Sequence, residues 1–220
     1  MTKLVIFDLD GTIIPNPSSE KLFLFWLITH RYIGIAQLWQ AMIFTFKWLW
    51  HFKREIFVRN KTYLYNLPVD KITAAAQEFT TKKLLPKIRP ELKQRINLHR
   101  AQGDTVVLLT GTLQPIAQIF AEHLNFNEYH SGECTLHNNR FTNLPPMQQP
   151  YREEKLSITK KICAKYKVAV NAITTYANSI HDLHLLEAAG TPITVTPDRK
   201  LRQIALKNGW EIMECRKDNG

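Results

Sequence analysis

Short apolar runs alternate with helix-like stretches along most of this chain, and this alternation constrains its fold more than any other feature. The strand-like runs are residues 3–7, 105–109, 168–174 and 193–196. The stretches with helical apolar spacing are residues 90–102, 114–124, 153–166, 182–189 and 200–208. Strands that alternate with helices predict an α/β fold, a doubly wound Rossmann-like core with a parallel sheet at its centre.

A segment of different composition separates the first two strand-like runs. Residues 19–85 have helical spacing, with breaks at Pro68 and Pro86. Within residues 21–69 seven basic side chains accompany one acidic side chain, so this stretch contributes +6 of the formal net charge of +10. It also holds more than half of the aromatic residues. We therefore predict an α-helical subdomain over residues 17–85, inserted into a core made of residues 1–16 and 86–220.

A short hairpin is predicted in the second half of the core. The pair Asn138-Asn139 favours a tight turn between two short strands within residues 133–144. The Pro-rich residues 145–150 follow directly and favour a loop. We therefore expect the hairpin and this loop to form a surface excursion that ends at the helix of residues 153–166.

Cysteine usage and the N-terminal residues bear on where the chain resides. The three cysteines, Cys134, Cys163 and Cys215, have no CxxC spacing, which argues against a disulfide framework or a cysteine zinc site. The first apolar run is short and leads into acidic residues, unlike the longer apolar stretch of a secretory signal. We therefore expect a reducing compartment, with cytoplasmic residence as the default.

Two carboxylates follow the first predicted strand. Asp8 and Asp10 lie two residues apart, so both can face one site at the carboxyl end of the strand, where open α/β sheets bind ligands. Paired carboxylates suit a hard cation, and they also suit a division of labour between a nucleophile and a proton-transfer group. An isolated Asp-Gly turn after a strand would look the same, so this motif alone does not decide between the two interpretations.

Three further polar motifs follow in order along the chain. Residues 110–112, Thr-Gly-Thr, place hydroxyl and backbone N–H groups at a strand end, which suits an anion. Lys155 opens a later helix, and Asn178 and Asp182 supply oxygen atoms after another strand-like run. Each motif alone fits a turn, a solvated lysine or a helix cap. Their ordered recurrence at strand ends favours a common site.

With these four motifs the chain resembles phosphatases of the haloacid dehalogenase superfamily, in the phosphoserine-phosphatase-like branch (subfamily IB) with a helical cap after the first motif. The resemblance covers essentially the whole chain, including residues 183–190, 196–199 and 208–210. It implies that Asp8 takes the phosphoryl group as an aspartyl-phosphate, and that Asp10 protonates the leaving alcohol and then activates water. It implies that Thr110, Gly111 and Lys155 hold the phosphate oxygens of a phosphorylated small molecule.

The resemblance also implies a Mg²⁺ site, and here the chain departs from the family. Mg²⁺ would be held by Asp8, by Asp10 through its backbone carbonyl, and by the region of Asn178 and Asp182. The family usually has an aspartate where this chain has Asn178, so one negative charge is missing and Mg²⁺ binding should be weaker, or activity lost. Phosphoserine itself is a doubtful substrate, because Pro17 stands where such phosphatases usually carry a glutamate.

The predicted cap contains an unusual apolar stretch. Residues 32–46 carry no charged side chain, but a spanning helix needs about 20 apolar residues, so this run is too short to cross a membrane. On a helix its apolar face comprises Leu38, Met42, Phe46, Leu49 and Trp50, and its polar stripe comprises Gln37, Gln40, Lys47, His51 and Arg54. The apolar face either packs on neighbouring helices or lies on an anionic membrane surface.

The membrane interpretation carries a second candidate substrate. Some relatives in this branch are phosphatidylglycerophosphate phosphatases, and the aromatic cap and the run Leu-Thr-Gly-Thr-Leu-Gln-Pro at residues 109–115 resemble theirs. A phospholipid headgroup is therefore an alternative to a soluble phosphate ester, with the protein peripheral at the inner face of the membrane. Nucleic acid is an unfavoured partner, because large aliphatic side chains interleave the basic ones. The sequence leaves the oligomeric state open.

Overall fold

The computed structural model describes residues 3–216 and has a six-stranded parallel sheet at its centre. Its strands are β1 (Leu4–Phe7), β2 (Thr105–Leu113), β3 (Glu128–Gly132), β6 (Thr174–Ala177), β7 (Thr191–Val195) and β8 (Glu211–Met213). Two more strands, β4 (Leu136–His137) and β5 (Arg140–Phe141), pair as an antiparallel hairpin. The spatial order β3-β2-β1-β6-β7-β8 places β1 in the interior of the sheet, so the predicted parallel α/β fold is confirmed.

Helices cover the sheet and fill the segment between its first two strands. Five helices lie between β1 and β2: α1 (Ser19–Thr29), α2 (Ile35–Phe52), α3 (Ile56–Arg59), α4 (Val69–Phe79) and α5 (Pro90–Ala101). Four follow β2: α6 (Gln114–His123), α7 (Glu153–Tyr166), α8 (Leu183–Ala188) and α9 (Arg199–Asn208). The inserted segment is thus helical, as the sequence predicts, while the cap boundaries at residues 16 and 86 stay a prediction.

Both faces of the sheet are buried at β1, which explains why this strand is continuously apolar. In β1 Val5 and Phe7 point into one apolar cluster, and Leu4 and Ile6 point into another on the opposite face. All four side chains are at most 1% exposed. A strand covered by helices on both sides has no solvated face, so the alternation of apolar and polar residues disappears.

Most of the inserted helices share the core of the sheet. Phe23 and Leu27 of α1 and Ile72 and Phe79 of α4 belong to the same apolar cluster as Phe7. These two helices therefore bury an apolar face in the ordinary way. Helix α2 differs, because only one of its 18 residues is buried.

The structure corrects several of the predicted strands. Strand β2 continues through residues 110–112 to Leu113, with an irregular register after Leu109. The run 168–174 is mainly a loop with a single 3₁₀ turn, and β6 begins only at Thr174. Val168 and Val170 pack against the core from that loop, so their apolar character reflects burial without strand pairing. Strands β3 and β8 lie at the sheet edges and were missed, because their residues are polar or few.

The predicted hairpin is confirmed, but it is not a free surface excursion. Asn138 and Asn139 both have positive φ angles, 48° and 56°, which a two-residue hairpin turn of this kind requires. The hairpin bonds to the inserted helical segment, because Asn66 N–H donates to Phe141 O at 2.8 Å and Val69 N–H donates to Asn139 O at 3.0 Å. It therefore ties the inserted segment to the core.

Candidate active site

The predicted site residues come together at the carboxyl edge of the three adjacent strands β2, β1 and β6. Asp8 follows β1 directly and Asn178 follows β6 directly, while Thr110 lies near the end of β2. The carboxyl ends of parallel strands meet at one edge of a sheet, where α/β folds place their ligands. Helix α7 adds Lys155 to this edge from its first turn.

Asp8 is buried and makes two hydrogen bonds through its carboxylate. Its Oδ1 lies 2.7 Å from Lys155 Nζ, and its Oδ2 accepts a hydrogen bond from Thr12 Oγ1 at 3.1 Å. Its backbone N–H donates to Tyr176 O in the neighbouring strand at 3.0 Å. The side chain is 10% exposed, so a negatively charged oxygen is held at the sheet edge with a narrow opening to solvent.

Lys155 joins two carboxylates. Besides Asp8, its Nζ lies 2.8 Å from Asp182 Oδ1, and all three side chains are at most 10% exposed. Burial alone would lower the pKa of Lys155, but the charges of Asp182 and Asp8 raise it above the usual value, so the lysine stays protonated. Burial and the nearby charge of Asp8 raise the pKa of Asp182 above its usual value. The positive charge of Lys155 acts in the opposite direction but does not cancel this rise.

Asp10 is held by residues from two other elements. Its Oδ1 accepts from Ser19 N–H at 2.7 Å, and its Oδ2 accepts from Ser19 Oγ at 3.1 Å and from Thr112 Oγ1 at 2.7 Å. Burial raises its pKa to about 6, although these hydrogen bonds act in the opposite direction. A carboxyl with this pKa can give and take a proton near neutral pH, which is the property required of a general acid and base.

The segment of Thr110 and Gly111 is shaped by a close contact with the loop before α7. Thr110 is buried, and its Oγ1 accepts from Thr112 N–H at 3.1 Å, a bond that does not use its hydroxyl proton. Gly111 O accepts from Gln149 Nε2 at 2.8 Å. A Cβ at Gly111 would lie 3.0 Å from Gln149 Nε2 and 3.1 Å from Pro150 O, so this approach depends on glycine.

Asn178 packs against the loop after β1. Gly11 has a φ of +81°, and a Cβ there would lie 2.1 Å from Asn178 Nδ2, so glycine is required for both conformation and space. Thr12 Oγ1, which donates to Asp8, lies 3.4 Å from Asn178 Oδ1. Asp198 holds the loop that follows β6. Its N–H donates to Asn178 O at 3.0 Å, and its Oδ2 accepts from Ile180 N–H at 2.6 Å.

The oxygen atoms at this edge suit a hard cation. The donors predicted for Mg²⁺ are the Asp8 carboxylate, the backbone carbonyl of Asp10 and the amide oxygen of Asn178, and hard oxygen ligands are those that Mg²⁺ prefers. Residues 3–216 contain no group of three or more His, Cys, Asp or Glu that could hold a metal. The donor set therefore fits Mg²⁺ in kind but carries less negative charge than a carboxylate cluster. The Asp182 carboxylate contacts Lys155, and its role as a metal ligand stays a prediction.

The structure adds supporting residues that the sequence does not single out. Thr12 bridges Asp8 and Asn178, while Ser19 and Thr112 hold Asp10 and contact each other at 2.9 Å between their hydroxyl oxygens. Thr12 and Thr112 lie within the first two motifs, but the contacts of Thr12 with Asn178 and of Thr112 with Asp10 join residues more than 100 positions apart.

Glu20 lies close to the site in sequence, but its carboxylate contacts two side chains of the inserted segment. It forms an ion pair with Lys61, and its Oε1 accepts from Tyr63 Oη at 2.8 Å. Burial, with the Glu20 charge, raises the pKa of Tyr63 well above its usual value. Glu20 therefore contacts protein groups instead of pointing freely toward Asp8. A second ion pair joins Arg59 of α3 to Glu154, the neighbour of Lys155, at 3.0 Å.

Comparison with known proteins agrees with this geometry. A model of haloacid dehalogenase-like hydrolases matches residues 5–187. The chain therefore belongs to the haloacid dehalogenase-like hydrolase family.

Two relatives in sequence carry phosphatase names. Phosphoserine phosphatase SerB1 of Mycobacterium tuberculosis is 23% identical over 148 residues, covering 67% of this chain and 48% of that protein. Another protein of the same species, named "probable phosphatase", is 25% identical over 215 residues, covering 94% of this chain and 73% of that protein. The chain spans about half the length of some relatives, 49% and 48% in two cases.

Solved structures share the whole fold. A Bordetella pertussis protein of unknown function has a TM-score of 0.79 at 22% identity, covering 97% of this chain and 99% of that one. A phospho-aspartyl intermediate analogue of phosphoserine phosphatase has a TM-score of 0.63 at 14% identity, covering 99% and 95%. At these identities the likeness shows the fold alone.

Proposed function

We propose that this hydrolase is a Mg²⁺-dependent phosphomonoesterase that works through an aspartyl-phosphate intermediate. The observation that carries the proposal is the pairing of Asp8, bonded to Lys155, with Asp10, whose pKa is about 6. One carboxylate contacts the ammonium group of Lys155, and the other can exchange a proton near neutral pH. Two carboxyl groups with such different environments suit a nucleophile and an acid-base partner.

In the first half of the reaction Asp8 attacks. A carboxylate oxygen of Asp8 forms a bond to phosphorus while the bond from phosphorus to the alcohol oxygen breaks. Asp10 gives its proton to that leaving oxygen, so the alcohol departs neutral and Asp10 becomes ionised. Lys155, Thr110 and the backbone of Gly111 bind the phosphate oxygens, and the positive charge of Lys155 offsets the charge that the phosphoryl group carries.

In the second half water releases the phosphate. The ionised Asp10 takes a proton from a water molecule, and the water oxygen bonds to phosphorus as the bond to Asp8 breaks. Asp8 returns as a carboxylate, Asp10 returns protonated, and inorganic phosphate leaves. Ser19 and Thr112 keep Asp10 in one orientation for both proton transfers. Mg²⁺, when bound by Asp8, Asp10 and Asn178, supplies positive charge that lowers the repulsion between an anionic nucleophile and an anionic substrate.

Phosphate release from a generic aryl phosphate tests the proposal. The natural chain should turn over only with Mg²⁺, and Asp8→Asn should reduce turnover to background. Asn178→Asp restores the missing carboxylate, so it should lower the Mg²⁺ concentration needed for half-maximal rate. Turnover that persists in Asp8→Asn, or that is unchanged without divalent metal, would contradict the proposal. Activity that appears only in Asn178→Asp would instead indicate a weakened relative that binds phosphorylated ligands.

A second candidate function is the same chemistry on a phospholipid headgroup by a peripheral, cytoplasmic protein. The observation that favours it is the exposed aromatic face of α2, where eight large apolar side chains point outward. Comparing rates on a phosphoserine solution, an aryl phosphate solution and vesicles containing phosphatidylglycerophosphate separates the soluble and lipid substrates. A preference for either soluble ester would exclude the lipid function.

A further inference from the structure

Helix α2 exposes its large apolar side chains. The α2 face comprises Ile35, Leu38, Trp39, Met42, Ile43, Phe46, Leu49 and Trp50. Each of these side chains is at least 40% exposed, and Trp50 is 90% exposed. Their spacing of three and four residues puts them along one side of the helix. The prediction that this face packs on neighbouring cap helices is wrong.

The opposite side of the same helix contacts the protein. Gln37 Nε2 donates to Tyr65 O at 3.1 Å, and Asn60 Nδ2 donates to Ala41 O at 2.8 Å and to Thr45 Oγ1 at 3.0 Å. The single buried residue of α2, Phe44, is also on this side. A surface helix of a globular protein normally has the reverse arrangement, with its apolar stripe on the core. Contiguous exposed apolar surface of this kind marks an interaction site.

Basic side chains lie in the C-terminal half of α2 and directly after its end. Lys47, Lys53 and Arg54 are all exposed, and within residues 3–216 none of the three makes a salt bridge. The one acidic residue within residues 21–69, Glu55, is already paired with Arg59 at 3.2 Å. The surface therefore combines an apolar stripe with uncompensated positive charge, which complements an anionic layer over an apolar interior.

Helix α2 is suited to lie parallel to the surface of a lipid bilayer. No helix within residues 3–216 is long and apolar enough to cross a membrane. Amphipathic helices with tryptophan and phenylalanine on one side and basic residues beside them lie in the headgroup region, with the apolar side chains below it. Trp39 and Trp50, at opposite halves of α2, can both place their rings at that depth.

We propose that the α2 face is a membrane-binding surface that docks the protein on an anionic lipid bilayer. This role goes beyond the phosphatase chemistry and does not depend on it. A lipid surface fits better than a second copy of the chain, because the α2 helix carries no acidic side chain that could pair with the lysines and the arginine of another copy. Anionic headgroups would instead neutralise them, each basic residue adding roughly five-fold to binding.

Vesicle flotation tests the proposal without any turnover. The natural chain should float with vesicles of phosphatidylcholine and phosphatidylglycerol, and much less with phosphatidylcholine alone. A combined Trp39→Ser, Phe46→Ser and Trp50→Ser variant should lose flotation, whereas the matched variant Leu98→Ser, Leu136→Ser and Leu206→Ser should keep it. The control residues are 49%, 46% and 68% exposed and lie outside α2.

A charge series separates the electrostatic contribution. Lys47→Gln, Lys53→Gln and Arg54→Gln together should weaken partitioning on the order of 100-fold at low salt. The same number of changes at the exposed Lys160, Lys161 and Lys200 should have a much smaller effect. Urea unfolding, measured in parallel, should be little changed in all these variants and reports that each has folded.

Two results would overturn the proposal. One is a natural chain that stays in the aqueous fraction with anionic vesicles, or whose flotation the serine changes in α2 leave intact. The other is a concentration-dependent dimer that those serine changes abolish, seen by sedimentation without vesicle binding, because the α2 face would then be a contact between copies. Failure of turnover in the natural chain affects neither result, so the phosphatase and membrane proposals can fail separately.

Discussion

The candidate active site and helix α2 depart from the usual burial pattern in opposite directions. At the site the charged groups of Asp8, Lys155 and Asp182 are almost fully removed from water, while α2 leaves tryptophan and phenylalanine in water. Buried charge needs partners, and exposed apolar surface needs a cover, so both regions cost stability in isolation. We therefore expect a ligand in both regions: one that contacts the buried charged groups at the site, and one that covers the exposed apolar side chains of α2.

The largest effect on the buried side of this comparison is expected from Asp10→Asn. The variant can neither protonate the leaving oxygen nor activate water, so turnover of an alkyl phosphate should fall on the order of 10³-fold. An aryl phosphate has a better leaving group, so its first step should survive better and a burst of one alcohol per protein should precede slow turnover. Rapid-quench measurement on both esters checks this. Glu122→Gln at the surface is the control, and equal losses on the two esters would contradict the acid role.

Lys155→Met should break the buried charge cluster. It removes the partner of Asp8 and Asp182 and leaves two carboxylates facing each other, a change that costs about 3–5 kcal/mol of unfolding free energy. Activity should fall as well, because the phosphate loses its cation. Urea unfolding measures the first effect, with Lys160→Met on the exposed side of α7 as a matched variant. If both variants unfold alike, the cluster is not a stabilising network.

Two phenylalanines two residues apart sharpen the comparison within α2. Phe44 is 2% exposed and Phe46 is 72% exposed. Phe44→Ala should therefore cost about 3–5 kcal/mol, and Phe46→Ala should change unfolding by no more than about 0.5 kcal/mol. Chemical denaturation of the two variants without lipid checks this. The reverse ranking would mean that α2 packs through its apolar side in solution.

The smallest effect concerns a carboxylate outside both regions. Asp104 accepts from His99 Nδ1 and from Lys3 N–H, at 2.8 and 2.9 Å. Burial alone would raise the pKa of Asp104, but these hydrogen bonds lower it below the unfolded-state value. Its stabilisation is therefore present above about pH 4 and is lost as the pH falls through the lowered value. Asp104→Asn should cost about 1 kcal/mol at pH 7, and this cost should shrink as the pH falls through the lowered pKa of Asp104. A difference that grows on acidification would contradict the sign of the shift.

The fold could be predicted because its central strands carry a strong and simple signal. Burial on both faces makes β1 and residues 106–109 of β2 uniformly apolar, and a polar motif follows each apolar run directly. The edge strand β3 lacks this signal, since its sequence is Glu-Tyr-His-Ser-Gly and it is paired on one side only. Residues 168–173 gave the opposite error, because apolar side chains in a loop can fill a core as well as those of a strand.

The candidate site shows the same division between local and distant information. Asp8 and Asp10 lie within one motif, and their spacing predicts a shared edge of the sheet. The support of Asp10 by Ser19 and Thr112 joins residues 93 positions apart, and no sequence period links such positions. The direction of the α2 face was equally hidden, because helical spacing defines an apolar side but does not say what lies next to it.

The interior position of β1 in the sheet determines how slowly its amide protons exchange with solvent. The Asp8 amide donates to Tyr176 O, and β1 is paired with a strand on each side. Exchange of this amide proton with deuterium requires opening of the most protected part of the fold, so it should be among the slowest in the chain. Amides of α2, a helix with little buried surface, should exchange through local opening and much sooner. The chemistry would thus rest on the slowest-opening part of the protein and the contact with its surroundings on one of the fastest.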